Sequence, residues 1–282
     1  MFNQNPLKFI MNIENEDGEF RELGLGGGLC VSVAYIIFFT FYGAFNMIPS
    51  ICSIENLIVL SIYSAIITII YFILIVVFLV KFYIPKFDIN NVAKSESKVN
   101  FSNIIFLILF IIGFKLIFDA TLIPLIKMTS SFSFIVNSIR DMAKIPVFLI
   151  CYEIVFGPII EEILFRGIIL TGVAKRYSNR MAIITSSLIF GIVHFNIYQF
   201  CMGFLFGIFL AFLYLKTHSI ILCIFSHVFH NIYTTFTLLF LPKYFSIINN
   251  NIVTIFLLSI LGLSLMVMAI DKIIHNYNNN NI

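Results

Sequence analysis

Gly157-Pro158-Ile159-Ile160-Glu161-Glu162-Ile163-Leu164-Phe165-Arg166 places two adjacent carboxylates and an arginine inside an otherwise apolar run. Ionisable groups at membrane depth are costly, so they mark function by default. Neighbouring helical residues differ by about 100° in direction, so Glu161 and Glu162 face different ways. Arg166 follows Glu162 by four residues, the spacing of an acid–base pair on one helical face. It follows Glu161 by five and points elsewhere. The expectation is that Arg166 neutralises Glu162, while Glu161 stays free to project into a cavity and handle protons. Pro158 removes one backbone hydrogen bond just before the pair and can kink the helix. Freed backbone at this depth is tolerated where it lines a cavity, which would set the carboxylates beside water. Taken alone, the stretch also fits a structural ion-pair knot that fixes helix packing.

Outward from this stretch, the chain supplies a membrane. Its 282 residues are 60% hydrophobic and 11% charged, with a mean hydropathy of +1.04. An ordinary globular domain has about 45–50% apolar and 25% charged residues, so a soluble fold is excluded. Long apolar runs separated by short polar ones argue for helices rather than a barrel, whose strands alternate and are short. The expected fold class is all-α, a polytopic membrane helical bundle of about eight transmembrane helices around a water-accessible intramembrane cavity. A net charge of +3 gives no case for nucleic acid. Cys30, Cys52, Cys151, Cys201 and Cys223 show no CxxC and no paired spacing, and read as small buried hydrophobes. The N-terminus opens polar and acidic, without a signal-peptide pattern, so the first span is expected to stay as an anchor.

Residues 1–28 read as a polar cytoplasmic segment. It ends in Gly24-Leu25-Gly26-Gly27-Gly28, a flexible hinge rather than a phosphate loop because a membrane span follows. Residues 29–144 hold the N-terminal spans, at 29–48, 57–80 and 101–125, with Lys81, Lys86, Lys94 and Lys98 in the loop before the third. Lys115 and Asp119, four apart within that third span, are expected to neutralise each other inside the bundle. Residues 128–144 are more polar and read as interfacial, with the Thr129–Ser133 run as a loop. Residues 145–241 form the core that carries the chemistry, with spans at 145–170, 181–195, 200–215 and 219–241. There Glu153 reads as a rim or packing group, and Gly203 and Gly207 have the spacing that lets helices approach closely. Residues 242–282 hold the last span, 252–270, and an Asn-rich tail from Asn276 that reads as disordered. With both termini cytoplasmic, eleven lysines and arginines fall on inside segments and four outside, as the positive-inside rule asks.

Three more groups bear on chemistry. His194 lies within a span, where histidine suits proton transfer, and Phe190 one turn earlier could wall its pocket. His227 and Asn231 are four apart and share a face. Together they can hold a developing oxyanion or help ligate a metal. His230 is turned away and reads as packing, and His218 and His275 read as solvated span ends. The constellation of Glu161, His194 and the His227/Asn231 pair on three spans could converge around one buried water. The chemistry that fits is hydrolysis of an acyl bond. Glu161 and His194 activate water, His227 and Asn231 hold the oxyanion, and Glu162 with Arg166 fixes the geometry. The alternative is a proton- or ion-coupled transporter using the same groups as a relay. It would show inverted repeats and a second broken helix, and the sequence shows neither.

Glu161-Glu162-x-x-x-Arg166, Phe190-x-x-x-His194 and His227-x-x-x-Asn231, in that order, resemble the CPBP intramembrane protease family. That family includes the CAAX prenyl proteases of the Ras-converting type and the bacterial Abi proteins. The resemblance covers about residues 145–233, and Phe204-x-x-Gly207 is similar to a weaker element of it. It implies an eight-span helical enzyme that cleaves peptide bonds in a membrane-associated peptide or lipidated protein. Eukaryotic members take prenylated proteins; bacterial members are linked to bacteriocin or peptide processing and self-immunity. The abundance of Ile, Asn, Lys and Phe leans towards a bacterial cell membrane. No cofactor is certain. Zinc is a possible one, with Glu161, His194 and His227 as its candidate ligands. The absence of HExxH and the poor zinc affinity of Asn231 favour a metal-free, glutamate-dependent mechanism.

Overall fold

A computed structural model describes residues 22–83, 101–126, 129–241, 243–249 and 251–280. Lys86, Lys94, Lys98 and residues 1–21 lie outside them. The described residues fold as helices without strands. Helix α1 is Leu25–Ile51, α2 Leu57–Tyr83, α3 Phe101–Thr121, α4 Ile123–Ile126 and α5 Ser130–Ala143. Helix α6 is a composite over residues 146–174, in which Leu149–Phe156 and Ile163–Leu170 are π-helical and the intervening Gly157–Glu162 is α-helical. Then follow α7 Asn179–Ile192, α8 Ile197–Thr217, α9 Ile220–Phe240, α10 Tyr244–Asn249 and α11 Ile252–Asn280.

The protein is a polytopic helical bundle. Helices α1, α2, α3, α8, α9 and α11 are each long and apolar enough to cross a membrane. The expectation of about eight spans counted two further segments, α6 and α7. Helix α7 has 14 residues, about 21 Å at 1.5 Å per residue, against a hydrocarbon core of about 30 Å. Helix α6 is long enough but carries Glu153, Glu161, Glu162 and Arg166, so it belongs inside the bundle and not against lipid. It packs on α2, α5, α7, α8 and α9. Phe41, Ile58, Ile252 and Phe256 of α1, α2 and α11 point outward and are exposed, as an apolar surround requires.

The chain punctuates these helices with side-chain caps. Thr129 accepts from the Ser131 amide, Asn196 from Tyr198 and Gln199, and Ser219 from Leu222, each satisfying amides that a helix start leaves open. His218 ends α8 at φ 50°. Three sequence expectations change here. The Thr129–Ser133 loop is a cap and first turn of α5. Gly26–Gly28 are not a hinge but the first turn of α1, where Gly28 lies against Ile169 and Ile189. The described part of the Asn-rich tail is helical to Asn280, held where Asn276 Nδ2 donates to Asn103 Oδ1 at 2.8 Å.

Close helix approach follows the glycines. A Cβ on Gly207 would lie 3.2 Å from Ser187 Cβ, and one on Gly203 3.4 Å from Gly191 Cα, so α8 lies tightly on α7. Between α3 and α11, a Cβ on either Gly113 or Gly262 would meet the other's carbonyl oxygen at 2.5 Å. Lys115 and Asp119 form the expected pair at 3.0 Å, both fully buried, and Tyr244 donates to Asp119 at 3.2 Å.

Candidate active site

Pro158 decides the local backbone of α6. It has no N–H, so no residue can donate from that position. The Gly157 amide reaches back five residues to the Tyr152 carbonyl, which is the π pattern. The Glu153 carbonyl would then look for a donor at residue 158 and finds proline. Asn231 of α9 supplies the missing donor, its Nδ2 bonding the Glu153 carbonyl at 2.8 Å. A Cβ at position 157 would lie 2.7 Å from the Tyr152 carbonyl, so only glycine fits this wide turn.

Beside the turn, Arg166 Nη1 donates to Glu162 Oε1 at 3.0 Å and both side chains are fully buried. The same oxygen accepts from His227 Nδ1 at 2.7 Å. Arg166 also lies 4.6 Å over the Phe190 ring, a cation–π contact, and reaches the Gly207 carbonyl at 3.4 Å. Glu162 thus joins α6 to α9 and fixes the His227 ring. With Nδ1 donating to a carboxylate, the ring presents Nε2 to Glu161 Oε2, 3.7 Å away. That separation is too long for a direct hydrogen bond.

Glu161 differs from its expectation in one respect. It borders a cavity of about 440 Å³ with its side chain 14% exposed, but it is not unpartnered. Tyr35 of α1 donates to Glu161 Oε1 at 2.9 Å, which ties one oxygen and leaves Oε2 turned to His227. Glu153, His194, His227 and Asn231 border the same cavity. So Glu161, His194, His227 and Asn231 share one cavity, Glu162 and Arg166 lie outside its lining, and Phe190 is a common wall. Its ring packs edge-on to His194 at 5.2 Å and to His227 at 5.7 Å. His194 Nδ1 is engaged by the Phe190 carbonyl at 2.8 Å, and the imidazole nearest Glu161 is that of His227. His230 also borders the cavity, stacked on Phe206, 3.3 Å from the Met202 sulfur and 3.1 Å from Asn231 Oδ1.

The comparisons with known proteins address this same region. Residues 143–233 match the family model described as type II CAAX prenyl endopeptidase Rce1-like. The match spans about a third of the chain. Among curated proteins, "Putative membrane peptidase YdiL" of Bacillus subtilis (strain 168) is 35% identical over 95 residues, which cover 34% of this chain and 39% of that protein. No solved structure matches.

The matched segment contributes Glu161, Glu162, Arg166, Phe190, His194, His227 and Asn231, but Tyr35 comes from outside it. Sequence reading missed Tyr35 because a tyrosine in a span signals only that its hydroxyl needs a partner. Tyr42, Tyr63 and Tyr71 carry the same signal. Glu153 reads in sequence as a rim or packing group, and it borders the cavity. Among the described residues no three of His, Cys, Asp and Glu converge as a metal-binding group. The residues do not fit a three-ligand zinc site.

Proposed function

We propose that this chain is an intramembrane endopeptidase that hydrolyses a peptide bond in a membrane-associated peptide or lipidated protein. The observation that carries the reading is the Glu161 carboxylate. One oxygen is tied by Tyr35, and the other faces His227 across a gap at the edge of the cavity. A gap above 3.5 Å between two polar groups suits a bridging water. In the proposed reaction Glu161 Oε2 takes a proton from water as the oxygen attacks the scissile carbonyl. His194, across the cavity, helps to hold that water. The oxyanion is met by the Asn231 N–H not spent on Glu153 and by His227 as an imidazolium, since its Nδ1–H is held by Glu162 and only the doubly protonated ring donates from Nε2. The proton on Glu161 then passes to the leaving nitrogen as the C–N bond breaks, giving a carboxylic acid and an amine. Glu162 and Arg166 hold the His227 ring in place.

A second reading is favoured by the distances: His227, at 3.7 Å from Glu161, shares the water in place of His194. His194→Gln and His227→Gln separate the two, because the ring that shares the water costs more in kcat. The transporter alternative expected a second broken helix. Among the described residues the π-helical segments are confined to α6, and neither comparison names a transporter. The match to a CAAX prenyl endopeptidase model makes a lipidated C-terminal peptide the first substrate to try. We place the protein in a bacterial cell membrane with both termini cytoplasmic, on the lysine and arginine bias and the Bacillus relative.

The test is cleavage of a quenched peptide library, with and without a lipidated peptide set, by detergent-purified protein. It is run beside Glu161→Gln and beside a zinc chelator. Cleavage that survives chelation but not the substitution supports the glutamate-dependent reading. Loss on chelation would replace it with a metal-dependent one. Turnover by Glu161→Gln at the wild-type rate would remove Glu161 from the chemistry.

A further inference from the structure

We infer that Tyr35 is a positioning residue of the hydrolytic site, so that α1, outside the matched segment, completes the site; this rests on the protease reading above. The Tyr35 hydroxyl donates to Glu161 Oε1 at 2.9 Å across 126 residues of chain. A carboxylate has two oxygens with about four lone-pair sites. Committing Oε1 to a fixed donor orients the plane of the group and leaves Oε2 as the oxygen that meets water. The tyrosine ring is itself held. It is 7% exposed, edge-on to Phe165 at 6.1 Å and stacked on Phe39 at 6.3 Å. Phe165 belongs to the same helix as Glu161, so ring and hydroxyl brace one segment of α6 from the α1 side. His227 braces the other side through Glu162. The base is therefore clamped between α1 and α9, and the π-helical breaks in α6 that would let it wander are spanned on both flanks.

A bond between a hydroxyl and a charged carboxylate is worth enough for about a tenfold to hundredfold effect when it is removed. Tyr35→Phe keeps the ring and its packing and deletes the donor. In the full-length protein it is expected to lower kcat by about tenfold to a hundredfold with KM within about twofold of wild type. Tyr63→Phe is the control. It removes a hydroxyl that bonds the Phe45 carbonyl between α2 and α1, away from the cavity, and it should leave kcat unchanged.

A second readout does not need turnover. Dicyclohexylcarbodiimide adds to membrane-buried carboxyls, and deleting the Tyr35 hydroxyl uncovers Glu161 Oε1 to the reagent. The adduct at Glu161, located by mass spectrometry, should form several-fold faster in Tyr35→Phe than in wild type, with Tyr63→Phe at the wild-type rate. Wild-type kcat in Tyr35→Phe, or an unchanged labelling rate at Glu161, overturns the inference. A wild-type protein that cleaves no peptide counts against the protease reading alone, because the labelling comparison still decides whether Tyr35 holds Glu161.

Discussion

Glu162 accepts from Arg166 and His227 on a single oxygen in a fully buried site. Its neighbour Glu161 borders the cavity. Adjacent glutamates therefore predict opposite phenotypes. Glu161→Gln should abolish cleavage while the detergent-solubilised protein keeps its melting temperature. Glu162→Gln should lower folded yield and melting temperature, because it leaves a buried guanidinium without its counter-charge, a loss of about 3–5 kcal/mol. A Glu162→Gln protein that folds normally and only loses turnover would move Glu162 into the chemistry. The Glu162–Arg166 pair was legible in the sequence because four residues on one helix fix a geometry. The Tyr35–Glu161 bond was not. It depends on how α1 lies against α6, and nothing local to either helix encodes that.

At the scale of elements, α6 is held in an unusual form by two substitutes for ordinary helix bonding. Gly157 allows the wide turn and Asn231 satisfies the carbonyl that Pro158 orphans. Gly157→Ala should force the turn to shift, since its Cβ would sit 2.7 Å from the Tyr152 carbonyl. The expected cost is about 1–3 kcal/mol, with a larger fractional loss of activity because Glu161 sits one turn on. Unfolding and kcat measured on the same preparation check this, and equal losses in both would show that the turn matters only for stability. Asn231→Leu should likewise destabilise by about 1–3 kcal/mol through the unsatisfied Glu153 carbonyl. Proline announced a disrupted helix in the sequence. It did not say whether the helix would kink or widen, because that choice rests on a donor arriving from α9, 73 residues further along.

Across the whole molecule, the apolar composition made the helical bundle legible. The count of spans was less so, because α6 carries four ionisable groups and α7, though it exposes Met181, Ile184, Leu188 and Ile192 along one face, has only 14 residues. The buried Lys115–Asp119 pair was also readable from its spacing. Lys115→Met should cost about 3–5 kcal/mol by stranding Asp119, and adding Asp119→Leu should return much of it. Thermal unfolding of the three proteins measures the recovery, and additive losses would mean that the two groups are not coupled. Helices α3 and α11 meet at Gly113 and Gly262 and are tied again by Asn103 and Asn276. This has a consequence for biogenesis. Helix α3 leaves the ribosome long before α11, so its tightest neighbour is missing while the intervening spans are inserted. The glycine face and the Asn103 amide must wait unpaired in the bilayer or be shielded by the insertion machinery. The pairing then locks only as α11 arrives, and a release of the nascent chain before α11 would yield a membrane-inserted but unlatched protein, a natural client for quality-control proteolysis.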